Sequence, residues 1–181
     1  WLCHSSVNFS TSGFAEAGGE GVQLQQELCD VARSHGMAIL GPNCVGLVDL
    51  NHGLVASFST ALESDTPVIA GPVALISQSG GVGMAVFAVA QAEGVAIGKF
   101  ISTGNEAALD SSDLLEHLAA DPHVSLILGY LEGVRDGRRF VPGRPLDRSD
   151  ADPCAHRRGA RHAEAGEASR SEGEAAPAQG S

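Results

Sequence analysis

The chain has a single lysine, Lys99, and its 22 acidic side chains are twice its 11 basic ones. The imbalance sits in the body of the molecule. Residues 1–141 carry 15 acids and 5 bases, whereas residues 142–181 carry 7 and 6. An acidic body excludes a nucleic-acid surface, which needs a basic stripe. No apolar run reaches membrane-spanning length, and no basic start leads into an apolar leader core, so no membrane contact is expected and the expected location is cytoplasmic. The four cysteines, Cys3, Cys29, Cys44 and Cys154, form no CxxC pair and no metal-ligand spacing. They read as reduced thiols, and no metal site is expected. Two nucleotide signatures are missing as well. Gly18-Gly19-Glu20-Gly21 is not a GxGxxG, and Lys99 stands in no GxxxxGK[ST].

What remains is an alternation of short apolar strands and amphipathic helices. The length of 181 residues allows one domain or two small ones, and the 43% hydrophobic content suits a packed core for part of the chain. Val7 to Thr11 ends a strand, and Leu24, Leu28, Val31 and Ala32 recur at helical spacing between Val22 and Ser34, with Gly36 as a stop. Met37 to Leu40 is a short strand, and residues 48–70 read as an irregular connection. Strand 72–76, helix 81–93, strand 96–102, helix 110–120 and strand 124–130 follow, with Asp110 to Asp113 capping the second helix. This order implies parallel βαβ units with right-handed crossovers, and the fold class is α/β. Ligands of open α/β sheets sit beyond the carboxyl ends of the strands. Four loops, at 12–21, 41–46, 77–81 and 102–106, all follow strands and belong on that edge.

The most informative of them is Ser77-Gln78-Ser79-Gly80-Gly81, between an apolar strand and an apolar helix. The first N–H groups of a helix have no partners inside it, and the peptide dipoles favour negative charge there. Ser77 and Ser79 offer hydroxyl donors, and Gly80 and Gly81 let an anion approach the backbone. The plainer reading is a turn whose serines only cap the helix.

Five motifs occur in order: Ser12-Gly13-Phe14-Ala15-Glu16, Gly41-Pro42-Asn43-Cys44-Val45-Gly46, Ser77-Gln78-Ser79-Gly80-Gly81, Thr103-Gly104-Asn105-Glu106 and Tyr130-Leu131-Glu132-Gly133. Together they make residues 8–141 resemble the acyl-CoA synthetases that form a nucleoside diphosphate, relatives of the succinyl-CoA synthetase α subunit. The same module also occurs in some protein acetyltransferases. The resemblance implies that residues 1–65 end a Rossmann-like CoA-binding domain, that 66–141 form most of a flavodoxin-like domain with a parallel sheet, and that the opening strands of the first domain are absent. The chain opens at Trp1 and reads as a piece of a longer protein. The implied reaction joins a carboxylic acid to CoA with ATP, through an acyl phosphate and a phosphohistidine. The nucleotide would be handled by an ATP-grasp domain or subunit outside this chain. By resemblance, Ser77, Ser79, Gly80 and Gly81 hold the phosphate, Glu132 orients the catalytic histidine by accepting its ring N–H, and Gly41 and Asn43 lie near CoA. Read alone, Glu132 is a solvated carboxylate after a strand, Asn43 steadies a turn and Glu106 starts a helix.

The histidine itself is missing. In the family it follows a Lys-Pro-Val-Val strand, in a Ser/Gly-His-Thr/Ala-Gly context, and residues 142–181 contain neither. Leu146 and Cys154 are the only hydrophobic residues there apart from alanine, so this tail is expected to be disordered. His156 and His162 match no part of the pattern, His35 belongs to a helix end, and His4, His52, His117 and His123 read as surface residues. Two classes of function follow: a fragment of an acid–CoA ligase that is inactive alone, or a CoA- or phosphate-binding module without turnover. Ten arginines against one lysine point to GC-rich coding DNA and to a tail translated out of frame. Reading the encoding DNA in the other two frames is expected to restore the strand and histidine; their absence from both frames would refute the frameshift.

Overall fold

In a computed structural model the described residues are 6–63 and 68–140. The tail at 142–181, with its expected disorder, lies outside them. Strand β1 (Ser6–Asn8) is followed by helix α1 (Glu20–Ser34) and strand β2 (Ala38–Leu40), and β1 pairs with β2 in parallel. Strands β3 (Gly46–Asp49) and β4 (Leu54–Ser57) come next. They lead to β5 (Val73–Ser77), α2 (Gly80–Ala92), β6 (Ile97–Ser102), α3 (Ser111–Ala119), β7 (Leu126–Tyr130) and the single turn α4 (Gly137–Phe140). The second sheet has the order β4-β3-β6-β5-β7. Its β6, β5 and β7 are parallel, as the alternating pattern requires.

One expectation fails here. Residues 46–57 are not irregular: β3 and β4 form an antiparallel hairpin that extends the second sheet, with β3 paired antiparallel to β6. The turn at Asn51-His52-Gly53 reverses the chain, and β3 then has ladder partners on both edges. The sheet therefore runs across position 65, where the resemblance divides the chain.

Helices cover both faces of the sheet. On one face Leu75, Phe100 and Ile97 meet Met84 and Phe87 of α2; on the other Ala74 and Ile76 meet Leu114 and Leu118 of α3. The Phe87 and Phe100 rings pack tilted at 49° with their centroids 5.9 Å apart, and burying each stabilises the fold by about 1.5–3 kcal/mol. Helix α2 sits this close only because residue 83 is glycine. A Cβ there would lie 2.4 Å from Ser77 Cβ and 2.8 Å from the Phe100 ring. The capping reading of α3 holds, with a reciprocal pair between Asp110 and Asp113. Helix α1 is turned by about one residue from the expected face. Gly21, Gln25, Cys29 and Ala32 are buried, while Leu24 and Val31 are about half exposed. Small residues let α1 approach closely, and the buried Gln25 carboxamide is satisfied by Ala15 N and Asn105 Nδ2, at 3.2 and 3.0 Å.

The lone lysine is structural. Lys99 is buried on β6 and donates to Asp49 at 2.5 Å and to Asp121 at 3.1 Å, joining β3 to the loop before β7. Burial opposes its charge, but the two carboxylates prevail and hold its pKa above the ordinary lysine value. Asp121 is lowered to about 2, first by the N–H of His123 and then by Lys99 against the cost of burial. Its folded pKa lies below the unfolded value of 3.8, so its contribution is whole above that value and is lost as the pH falls through about 2. The exposed rings of His52 and His123 meet edge to face beside the cluster, with their centroids 5.2 Å apart. Asp121→Asn is expected to lower stability by about 1–2 kcal/mol at pH 7 in urea unfolding, with the deficit narrowing as the pH is taken from 4 towards 2.

Candidate functional site

The parallel strands bring their ends level. Ser77 pairs with Ser102 on one side and with Tyr130 on the other, so the loops after β5, β6 and β7 open on one edge. A cleft of about 430 Å³ lies there, lined among others by Asn43, Gln78, Ser79, Gly80, Gly81 and Glu132. Five of the seven residues expected at the site, Asn43, Ser79, Gly80, Gly81 and Glu132, thus share one cleft. The hydroxyl-bearing Ser10 and Ser12 line it too.

The other two stand behind it. Ser77 is fully buried, and its hydroxyl donates to Ser79 O at 2.6 Å, shaping the loop from within. Gly41 is buried at a φ of +98°, where a Cβ would fall 2.6 Å from Phe9 O and 2.9 Å from Cys44 Sγ. Ser79 is the N-cap of α2, accepting from Val82 N at 3.4 Å. Gly80 and Gly81 therefore belong to the first helical turn, whose N–H groups have no partner inside the helix. Nothing would obstruct a group beside Gly81, since a Cβ there meets no atom within 4 Å. Among the described residues the cleft lining holds no lysine or arginine, so an anion there would be met by peptide dipoles and hydroxyls.

The surrounding loops are tied into one body through Asn105. Its amide donates to Glu16 and to Gln25 Oε1, and its oxygen accepts from Asn43 Nδ2 at 3.3 Å. Glu16 also accepts from Gly13 N at 2.6 Å and Phe14 N at 3.2 Å. Desolvation opposes its ionisation, but these bonds prevail and keep its carboxyl below the usual range. Arg135, after β7, donates to the carbonyls of Asn105 and Glu106. Glu106 stands four residues before the N-cap Asp110 and supports the start of α3 with its side chain: it is buried and accepts from Ser111 N at 3.1 Å and from the Ser111 hydroxyl. Burial pushes the Cys44 thiol up, and it donates to Asn8 Oδ1 at 3.1 Å, so it lines the cleft as a neutral group rather than a nucleophile. Asn105 and Gln78 stood in the sequence motifs without a role assigned to either. The signal that sets them apart is the partners they reach some 50 to 90 residues away, which no local pattern carries.

Residues 70–172 match the family described as the succinyl-CoA ligase like flavodoxin domain. An ADP-forming acetate–CoA ligase of Archaeoglobus fulgidus is 42% identical over 131 residues, which is 72% of this chain and 18% of that protein. The α subunit of acetate–CoA ligase [ADP-forming] I from Pyrococcus furiosus is 44% identical over 135 residues, 75% of this chain and 28% of the subunit. Among solved structures, the acetyl-coenzyme A synthetase 1 of Ca. Korarchaeum cryptofilum, in complex with phosphate and ADP, superposes with a TM-score of 0.68 at 38% identity, over 75% of this chain and 28% of that one. The chain thus spans less than a third of the length of these relatives. With the five motifs, the parallel sheet and these matches in agreement, the chain belongs to the family of NDP-forming acyl-CoA synthetases, the ADP-forming acetate–CoA ligases and relatives of the succinyl-CoA synthetase α subunit.

Proposed function

We propose that this chain is the phosphoryl-handling part of an acid–CoA ligase, a protein that joins a carboxylic acid to CoA while ATP becomes ADP and phosphate. The observation that carries this reading is the shared cleft: the open first turn of α2, at Ser79 to Gly81, and the carboxylate-bearing Glu132 line the same cavity. Phosphoryl transfer asks for little covalent help and much positioning, and backbone N–H groups at a helix start supply charge stabilisation without reorganisation. Ser79, Gly80 and Gly81 would hold the phosphoryl oxygens, with Ser77 shaping the loop behind them. Glu132 would accept the N–H of a histidine ring and so leave the opposite nitrogen free to attack phosphorus. The acyl phosphate and phosphohistidine steps belong to the same proposal.

Coenzyme A fits the described residues only in part. Asn43 lines the cleft and Gly41 does not, and a diphosphate would meet no lysine or arginine in the lining. When bound, CoA supplies the thiol that takes the acyl group. ATP and ADP would be bound by an ATP-grasp domain or subunit with which this chain pairs, and His156 and His162 lie outside the described residues. The chain by itself is therefore proposed to bind phosphate without turning over.

Two measurements test this. In a titration of the chain with inorganic phosphate, followed by amide NMR, saturable shifts are expected at Gln78 to Val82 and at Asn43, with a dissociation constant on the order of millimolar. Absence of a saturable response at the start of α2 removes the phosphoryl reading. Incubation with labelled ATP and the nucleotide-binding subunit of an ADP-forming acetate–CoA ligase is expected to leave this chain unlabelled; acid-labile label on it would overturn its inactivity.

A further inference from the structure

Gln78 lies between the two halves of the candidate site. It follows Ser77 at the end of β5, precedes the N-cap Ser79 of α2 and lines the cleft beside both. Its carboxamide reaches across to the loop after β7. Oε1 accepts from Glu132 N at 2.6 Å and from Gly133 N at 3.0 Å, and Nε2 donates to Gly133 O at 2.7 Å. Its own N–H donates to Tyr130 O at 3.0 Å. The ladder between β5 and β7 ends at Ser77 and Tyr130, and the side chain of Gln78 carries it on past the ends of both strands. A carboxamide offers the acceptor and the donor side by side at the end of one side chain, whereas a carboxylate lacks the donor and a guanidinium lacks the acceptor. These bonds also fix the amide orientation, because the oxygen faces two N–H groups and the nitrogen faces a carbonyl.

The Glu132 side chain is exposed, so what the fold fixes is its backbone, the point from which the carboxylate reaches the cleft. That backbone is held at Glu132 N and at both polar atoms of Gly133 by one side chain that is also continuous with the start of α2. We infer that Gln78 is the positioning residue for Glu132. Its carboxamide ties the loop after β7 to the turn proposed to hold phosphate, so that the Glu132 backbone and the helix start keep a fixed separation across the cleft. The inference rests on the role proposed for Glu132.

Amide hydrogen exchange and phosphate titration of the full chain test it with two variants. In Gln78→Leu, exchange at Glu132 and Gly133 is expected to rise about tenfold or more while β5 and β6 stay protected. The carboxyl carbon of Glu132, which responds to phosphate in the unaltered chain, should cease to respond, although the amides of Ser79 to Val82 still do. Gln78→Glu keeps an oxygen opposite the two N–H groups but loses the donor to Gly133 O, so exchange there should rise less than in Gln78→Leu, while its added charge weakens phosphate binding. Unchanged exchange in Gln78→Leu, or a Glu132 carboxyl that still responds to phosphate, overturns the inference. Should Gln78→Leu fail to fold, Gln78→Ser, whose hydroxyl is too short to span to the loop after β7, is read for the same rise, and unchanged exchange there overturns the inference equally. An unaltered chain without any phosphate response removes the phosphoryl reading instead, and exchange at Glu132 and Gly133 still decides whether Gln78 holds that loop.

Discussion

The register of three parallel strands is the constraint on which the rest of the molecule depends. Ser77 is level with both Ser102 and Tyr130, so a slip of one residue in either pairing would turn every side chain of β6 or β7 to the opposite face. Lys99 would leave its carboxylates, and Phe100 would leave Phe87. The level ends then decide where the loops fall. Because α2 starts three residues beyond Ser77, its open first turn must face the loop that begins at Leu131. Glycine at 83 completes the geometry by letting α2 lie directly on Ser77 and Phe100.

The loops that come from outside these strands need a different bond, and Asn105 supplies it. A carboxamide can donate twice and accept, and Asn105 uses this to hold Glu16, Gln25 and Asn43, each from a different part of the chain. The β1–α1–β2 unit makes only a two-stranded sheet of its own. Its attachment to the second sheet includes this polar knot, Cys29 Sγ on Ala107 O at 3.2 Å, Leu109 N on Ile39 O, Asn8 Nδ2 on Ala56 O at 3.1 Å and the packing of Leu40 with Ala74 and Ile76. Asn43 reaches the cleft because it is one of the residues so held.

Much of this was legible from local pattern. The run from β5 to β7 falls within two residues of the expected bounds, because each strand is apolar and each helix is amphipathic or capped. The hairpin at 46–57 was not, for an alternating β and α order leads one to expect parallel strands with helical crossovers. Its local signal, two apolar runs about a turn with Gly53, is short and was outweighed by the polar residues beyond it. The face of α1 was misjudged for another reason. Gln25 looks like a surface residue until its partners, Ala15 and Asn105, are known. The candidate site divides in the same way. Helix-start chemistry announces Ser79, Gly80 and Gly81, whereas the buried orientation of Ser77 and the reach of Gln78 exist only once β5 and β7 are paired.

The placement of the lone lysine bears on how such a site would treat a phosphoryl group. Lys99 lies three residues, or about 10 Å, back along β6 from the end that faces the cleft, and Asp49 and Asp121 neutralise it there. A lysine in the cleft would add a full charge to the partial charge of a helix end, which is worth about half a unit. The lining instead offers peptide N–H groups and hydroxyls beside the carboxylate of Glu132. On the proposed reading that balance would bind an anion modestly and let it go, as a group in transit between two sites requires. A tight cationic cage would deepen the ground state and slow the departure. A cradle of peptide dipoles and hydroxyls would thus suit passage, while the cation of Lys99 ties the sheet together through Asp49 and Asp121.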